Sequence, residues 1–544
     1  MRANGPPDRE EALARLSNSP LDVLVVGAGI TGAGVALDAA SRGYRTALVD
    51  AGDLGRGTSS RSSKLVHGGL RYLATGDVPM VVEGVRERER TRRMAPHLVR
   101  PLAFAVPTGS RAERAQLKAG LVTYDALALG RSVAPHGRLG PDQLRRVAPS
   151  LELGATHGGY RYWDCRTDDA RLVLAAAQAA RRLGALVVPH CSVEQVRTGP
   201  GGRVTGAVLR DRLGAGASTD VTARWVVLAG GVWAGRLAEL VPGWQPDLTP
   251  AKGVHLVFPR HQLPVQHAVV VPSVAGDDRR LFVVPWGGQV YVGTTDAPAG
   301  DELATPAVTA ADASYLLDAV RAAFTTDVTL DDAVGAWAGL RPLVGSGGAS
   351  ADLSRRHVVA DGAPGVLHVT GGKLTTWRAM AEQVVDRMVA ADGRRARCVT
   401  ADLRLGSSGS RRDGAARVRV VAARHGVGPV VAASLHHRHG DLAPMVLEAA
   451  AHDEHGLDPL VPGLPYLRGE VRWAVRHELA RTVEDVLARR TRVALRDAGA
   501  GGDAVEHVSA VLGDELGLDG AALATQVTDY RAAVAHERGP VALT

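Results

Sequence analysis

The chain has 544 residues, of which 45% are apolar and 22% charged, with a formal net charge of +7. That is enough apolar material for two or three domains with cores of their own, and it excludes wholesale disorder. The basic balance is compatible with anionic partners, but an arginine-rich compositional bias is the preferred reading of the global charge, while three scattered cysteines (Cys165, Cys191 and Cys398) argue against a disulfide framework and fit a reducing compartment.

Residues 1–20 form a polar tail without the apolar stretch of a signal peptide. The run "LDVLVVGAGITGAGVALDAASRGYRTALVD" then reads as strand, glycine turn, helix and strand. The pattern predicts strands at 21–26 and 46–49, with a helix over 33–42 ended by Gly43. Asp22, Asp38 and four glycines exclude a membrane span over 21–40. Gly27, Gly29 and Gly32 make a G-x-G-x-x-G turn, with Ile30 and Thr31 inside it. The first glycine permits the tight turn, the second lets a pyrophosphate approach backbone, and the third lets helix and strand pack closely. Asp50 ends the second strand, where an acid binds ribose hydroxyls. The unit points to a dinucleotide, and both NAD and FAD use it.

The next stretch, "GTSSRSSK", offers the hydroxyls of Thr58, Ser59, Ser60 and Ser63 to a pyrophosphate or a ribityl chain. It leads into "SSKLVHGGLRYL" (62–73), dense in donors around Gly68-Gly69. Helix "DDARLVLAAAQAARRLG" opens on Asp168-Asp169, read as a cap. Strand-like runs follow, and 252–296 reads as an antiparallel sheet. "VVLAGGVWAG" and "HVTGGKLTTWRAM" each run a strand into a glycine pair, Gly230-Gly231 and Gly371-Gly372. The second pair precedes a helix opening at Lys373-Leu374-Thr375, whose N-terminus could stabilise charge on a reduced flavin.

Near Cys398 the character changes. "RLGSSGSRRDG" reads as a linker, and beyond it strands nearly vanish. "VRWAVRHELARTVEDVLARRTRVAL" places Val471, Val475, Leu479, Val483 and Val486 or Leu487 on one face of a helix. "HHRHG" at 436–440 lacks the spacing of a metal site, so the expectation is a solvated helix end and no metal. The basic run "SRRDGAARVRVVAARHG" lacks interleaved aromatics, so no nucleic-acid partner is expected.

"VVGAGITGAG", "TSSRSSKLVHGGLRYL", "MAPHL", "DDARLV", "KGVHLVFPR", "VGTTD", "GLRPL" and "GGKLTTWR", in this order, resemble FAD-dependent glycerol-3-phosphate dehydrogenase of the aerobic, quinone-linked kind. The similarity covers nearly the whole chain except the tail. Asp50 stands where Glu is usual in that family. The resemblance implies a Rossmann-like, doubly wound α/β domain that binds FAD, interleaved with an antiparallel-sheet cap and followed by an all-α C-terminal domain. The expected oxidoreductase domain spans 21–397, with FAD-binding segments at about 21–95, 155–250 and 335–397 and cap segments at about 96–154 and 251–334. A linker at 398–414 leads to the helical domain, 415–544.

The activity implied is oxidation of sn-glycerol 3-phosphate to dihydroxyacetone phosphate. Hydride leaves C2 for flavin N5, and the electrons go to membrane quinone. The cofactor set implied is Gly27, Gly29, Ile30, Thr31, Gly32, Asp50, Thr58, Ser59, Ser60, Ser63, Lys64, His67, Gly68, Gly69, Val193, Gly230, Gly231, Gly372, Lys373, Leu374 and Thr375. Ser62 is expected along the cofactor too. Arg71, Tyr72, Arg341, Arg355, Lys373 and Thr375 would bind substrate, since several cations suit a phosphate dianion. His255, on a predicted cap strand, is the expected proton acceptor, with Arg341 and Lys373 polarising the substrate oxygen. The competing reading of His255 is a hydrogen-bonded core histidine. The expected location is cytoplasmic, peripheral on the inner face of the plasma membrane. Contact with an anionic membrane surface and a homodimer are both compatible with the sequence. Rival functions are an oxidase that uses O2, an amine or amino-acid oxidase, and a flavin-binding protein without turnover.

Overall fold

The computed structural model describes residues 7–73, 76–128, 130–154, 158–213, 216–277, 279–300, 302–345, 356–406 and 411–541. Strand Leu21–Val26 lies inside an eight-stranded sheet. It is apolar on both faces, as a strand covered on both sides must be. Val23 and Val25 enter one core, Leu24 and Val26 the other. It pairs in parallel with Thr46–Val49 and with Ser218–Leu228. Leu186–Val188 and Val366–Gly371 extend the parallel order, and His357–Asp361 adds an antiparallel edge.

Both predicted strands stand at their expected positions, but the helix begins at Ile30 and ends at Ser41. Its N-cap is Gly29, so the turn itself starts the helix, three residues before the apolar period becomes visible. Helices Asp169–Arg182 and Trp377–Ala391 share its core. Gly34 is where Trp377 approaches, because a Cβ there would lie 2.8 Å from the indole. The tail carries a helix, Arg9–Asn18, capped by Asp8, and its Ala12 and Leu16 are buried against the sheet.

The second sheet has ten strands and is mostly antiparallel. Leu248–Pro259 lies between Gln289–Gly293 and Gly335–Val344. Arg280–Trp286, Ala268–Pro272, Arg100–Pro107 and Gly159–Arg166 continue it, and Leu65–Val66 closes it. Leu65–Val66 follows directly on the serine-rich loop, so the two sheets meet at 58–69.

From Arg411 onward the described residues are largely helical. Every residue of the predicted apolar face is buried, but the face does not belong to one helix. Gly469–Glu478 stops at Leu479, which takes a left-handed φ of 59°. The carboxylate of Asp485 then accepts from the amides of Arg481 and Thr482, bracing the turn that leads into a π-helical segment, Asp485–Thr491. The expectation for "HHRHG" is also corrected. His436 and His439 are 5% and 6% exposed, not solvated. His439 presents its two ring nitrogens to Glu470 and Glu478, so buried carboxylates hold it at the interface.

Candidate functional site

Gly27 has φ 103°, and a Cβ there would lie 2.5 Å from the Ala229 carbonyl oxygen. At Gly32 a Cβ would fall 1.8 Å from the oxygen of Gly27. No side chain caps the helix from Gly29; instead Ser59 Oγ accepts from the Ile30 amide at 3.0 Å, and Thr31 is half-buried beside it. Asp50 accepts from the amides of Ala28 (2.6 Å) and Gly52 (2.8 Å). Burial raises the Asp50 carboxyl above its usual range, against those two amides. This is a glycine cradle with a carboxylate at its far side, which fits a dinucleotide.

The hydroxyl-rich loop divides its donors. Thr58 donates to the Leu340 carbonyl at 2.6 Å. Ser60 is buried, and its carbonyl accepts from Lys64 Nζ at 3.1 Å. Ser62 gives its amide and hydroxyl to Asp169, at 3.0 and 2.7 Å. Lys64 is buried between Asp169 (3.1 Å) and the Trp337 ring (4.7 Å). Burial lowers its ammonium, and although Asp169 opposes this, the pKa falls to about 8.

Further along, Gly68 donates to Tyr124 Oη and Asp164 Oδ1, both at 3.1 Å. The Tyr124 hydroxyl would lie 2.2 Å from a Cβ at Gly68, and the Tyr72 ring 2.3 Å from one at Gly69. Thr375 Oγ accepts from the His67 amide and donates to the His67 carbonyl, each at 3.1 Å. This clips the loop to the turn at Leu374–Thr376. Lys373 Nζ lies 3.7 Å from the centre of the Tyr72 ring, with Arg71 at 5.2 Å from the same ring. Burial lowers the His67 imidazole to about 4, with Lys373 and Arg71 adding to the effect.

Strand register brings the cap residues together. His255 is paired with Trp337, and Ala251 with Arg341. Paired residues share a face and so do alternate ones, so His255, Trp337 and Arg341 project together. Glycines clear that face: a Cβ would be 2.3 Å from Arg341 at Gly253 and 2.1 Å from the His255 ring at Gly293. His255 stacks on Trp337 with ring centres 4.5 Å apart, and its Nε2 is 2.9 Å from Ser63 Oγ. Its Nδ1 has no hydrogen-bond partner among the described residues. Burial holds the imidazole well below its usual value, and Lys64 and Arg341 push it the same way. Arg341 is fixed by Asp296 (3.1 Å), the Thr294 hydroxyl (3.0 Å) and the Thr295 carbonyl (3.0 Å).

Two groups therefore form, His255 with Ser63, Lys64 and Arg341, and Tyr72 with His67, Lys373 and Thr375. They are joined by the short strand Leu65–Val66. Gly230, Gly231, Gly372 and Leu374 lie at the ends of the parallel strands and the turn after them. Val193 is on the outer strand Cys191–Thr198, against the core. Arg355 lies outside the described residues. Sequence reasoning missed the residues that hold these: Trp337 under His255, Asp296 on Arg341, Tyr124 and Asp164 on Gly68, and Asp169 on Lys64. It also missed the arginines of "LARRTR", whose density in one run was the available signal.

The chain matches the family described as FAD dependent oxidoreductase over residues 22–387. Residues 398–523 match the C-terminal domain of alpha-glycerophosphate oxidase. It is 38% identical over 541 residues to glycerol-3-phosphate dehydrogenase 2 of Mycobacterium tuberculosis, covering 98% of this chain and 92% of the relative. A probable mitochondrial glycerol-3-phosphate dehydrogenase of Caenorhabditis elegans is 34% identical over 554 residues, 98% of this chain and 76% of that one. The solved glycerol-3-phosphate dehydrogenase of Bacillus halodurans, complexed with FAD, superposes with a TM-score of 0.81 at 28% identity over 98% of each chain. The L-alpha-glycerophosphate oxidase of Mycoplasma pneumoniae shares the fold, with a TM-score of 0.55 at 17% identity over 70% of this chain and 96% of that one.

Proposed function

The chain belongs to the glycerol-3-phosphate dehydrogenase family of FAD-dependent oxidoreductases, and on that premise we propose that it oxidises sn-glycerol 3-phosphate to dihydroxyacetone phosphate and delivers the electrons to membrane quinone. FAD is its cofactor. The cradle at Gly27, Gly29 and Gly32 would be filled by any Cβ, and Asp50 stands beside it, so the residues fit the nucleotide. When bound, FAD supplies the acceptor for the hydride equivalent from C2.

The observation that carries the reading is the cap face on which His255 and Arg341 project together. His255, neutral and buried, is assigned the proton of the C2 hydroxyl. Ser63 and Trp337 fix the ring's position and tilt. Arg341 and Lys373 are assigned the phosphate and the developing charge on the substrate oxygen, with Arg71 and Arg355 adding cations. A dianion arriving there would offset the field of Lys64 and Arg341 and raise the basicity of His255 as substrate binds. Tyr72 positions Lys373 through its ring. The oxidoreductase part is assigned to 21–397 and the helical domain to 415–544.

Quinone partitions into lipid, so delivery to it requires work at a membrane surface. Among the described residues no helix is long and apolar enough to cross a membrane. The contact we assign is peripheral, on the cytoplasmic face. Under anaerobic conditions sn-glycerol 3-phosphate is expected to bleach the flavin spectrum, which would remain unchanged in a non-turnover binding protein. Stopped-flow reoxidation then separates acceptors: faster with a soluble quinone analogue than with air supports the dehydrogenase, and the reverse order assigns an oxidase.

A further inference from the structure

Residues 485–492, deep in the helical domain, send their arginines into the two loops that flank the nucleotide cleft. Arg489 Nε and both terminal nitrogens of Arg490 donate to Asp53, at 2.5, 2.6 and 2.8 Å. Asp53 belongs to the loop after Asp50, and the Gly55 amide returns to the Ala28 carbonyl inside the glycine turn. On the same loop, the Gly52 carbonyl accepts from the His190 amide, and His190 Nε2 lies 2.9 Å from Asp485. Arg492 grips the other loop. It pairs with Asp168 at 2.6 Å and with Asp169, and donates to the Ser60 carbonyl at 3.3 Å. Asp169 in turn holds Ser62 and Lys64.

Most of these charges are out of water. Asp53, Asp169 and Asp485 are fully buried, and Arg489, Arg490 and Arg492 are at most 3% exposed. Asp53, His190 and Asp485 bring ligand atoms within 4.8 Å of one another, but the guanidinium groups of Arg489 and Arg490 already meet their charge. A buried pair that loses one partner leaves an uncompensated charge, so the loops cannot easily leave this arrangement. The backbone is shaped for the task. The segment is π-helical, and Arg492 has φ 82°, a region costly for a side chain with a Cβ. That turn lets one short segment face two separate loops.

We propose that residues 485–492 hold both nucleotide-binding loops in their cofactor-ready form, which makes Arg489, Arg490 and Arg492 positioning residues for FAD. The inference rests on FAD occupancy alone and is independent of the substrate or acceptor. By linkage, what the segment does for the cofactor the cofactor must do for the segment.

The test uses the full-length holoenzyme. FAD release is followed by flavin fluorescence on dilution, well below the thermal midpoint, for the wild type, Arg492→Gln, Asp53→Asn and Arg492→Lys. Release about tenfold faster is expected for the first two variants, with the Lys variant in between. Far-UV circular dichroism midpoints should fall for both variants, since each leaves a buried charge uncompensated, so release is read on folded holoenzyme well below those midpoints, where a merely structural role would not move it. Amide exchange of wild type with and without FAD should show 485–496 losing protection together with 50–64 when FAD is removed. Unchanged release from a folded variant, or exchange of 485–496 indifferent to FAD, would overturn the proposal. Should the variants fail to fold, the wild-type exchange comparison decides alone.

Discussion

His255 is stacked on an indole, buried, and faced by Lys64 and Arg341, so it has every reason to stay neutral. His255→Asn keeps much of the shape and removes the proton acceptor. The expected result is a fall in kcat of about 10²–10⁴, the usual range for a lost general base, with KM moved far less. The acid limb of kcat/KM reports the free enzyme. Because the folded imidazole is depressed, that limb should lie below about 6.5, the ordinary histidine value. A limb at or above that value, or an unchanged kcat, would remove His255 from the chemistry. The glycine turn and Asp50 were legible at this scale, because each glycine answers a backbone demand that can be named from spacing. The partners were not. Thr58 spends its hydroxyl on a carbonyl 282 residues away, and Lys64 spends its ammonium on a carboxylate 105 residues away. No local pattern announces either.

Between elements, one close apposition that needs a missing side chain is the helix Ile30–Ser41 against Trp377 of the helix Trp377–Ala391. Trp377 is fully buried, and its indole donates to the Thr91 hydroxyl at 3.3 Å. Trp377→Ala should cost about 3–5 kcal/mol, the range for a large aromatic removed from a core. Gly34→Leu should cost about 1–3 kcal/mol by overpacking the same contact. Denaturant midpoints at unchanged m-value check both, and a shift under ~0.5 kcal/mol at Gly34 would mean the two helices yield more easily than a packed core does. The parallel strands around the glycine turn were readable, since continuous apolar runs fit a doubly covered strand, but Arg100–Pro107, Gly159–Arg166 and Gly335–Val344 of the second sheet were not read as strands. The break at Leu479 was not readable either. A left-handed leucine has no sequence signature, and the carboxylate that braces the turn after it lies six residues on.

Across the whole molecule, buried charge couples stability to pH. Burial alone would raise the Glu470 and Glu484 carboxyls, but Arg438 and Arg489 respectively overcome it and hold both near about 2. Glu478 and Asp485 are also depressed, by Arg171 and His439 in one case and His190 and Arg489 in the other, against burial. A depressed carboxylate contributes stability above its unfolded value of about 4.5 and loses it as pH falls toward the folded one. His67 and His97, lowered by burial to about 4 and about 3, act in the same sense, losing their contribution below about 6.5. Stability should therefore fall as the medium is acidified from about pH 6.5, and more steeply below about 4.5. Thermal midpoints measured from pH 8 to pH 3 check this, and a flat profile between 6.5 and 4 would show that the buried imidazoles do not count. The three-part architecture was legible from composition and resemblance. The charge lattice that joins the parts was not, because an arginine in an arginine-rich chain looks the same whether it faces water or Asp53.

The link between Asp53 and Arg489 also orders events in time. A separation of 436 residues divides them, so a ribosome adding about 5–20 residues per second emits the acid roughly 20–90 s before its basic partner. Through that interval the nascent glycine turn carries an unmatched carboxylate at its flank. Vectorial synthesis thus makes the first motif of the protein to be translated one of the last to be finished.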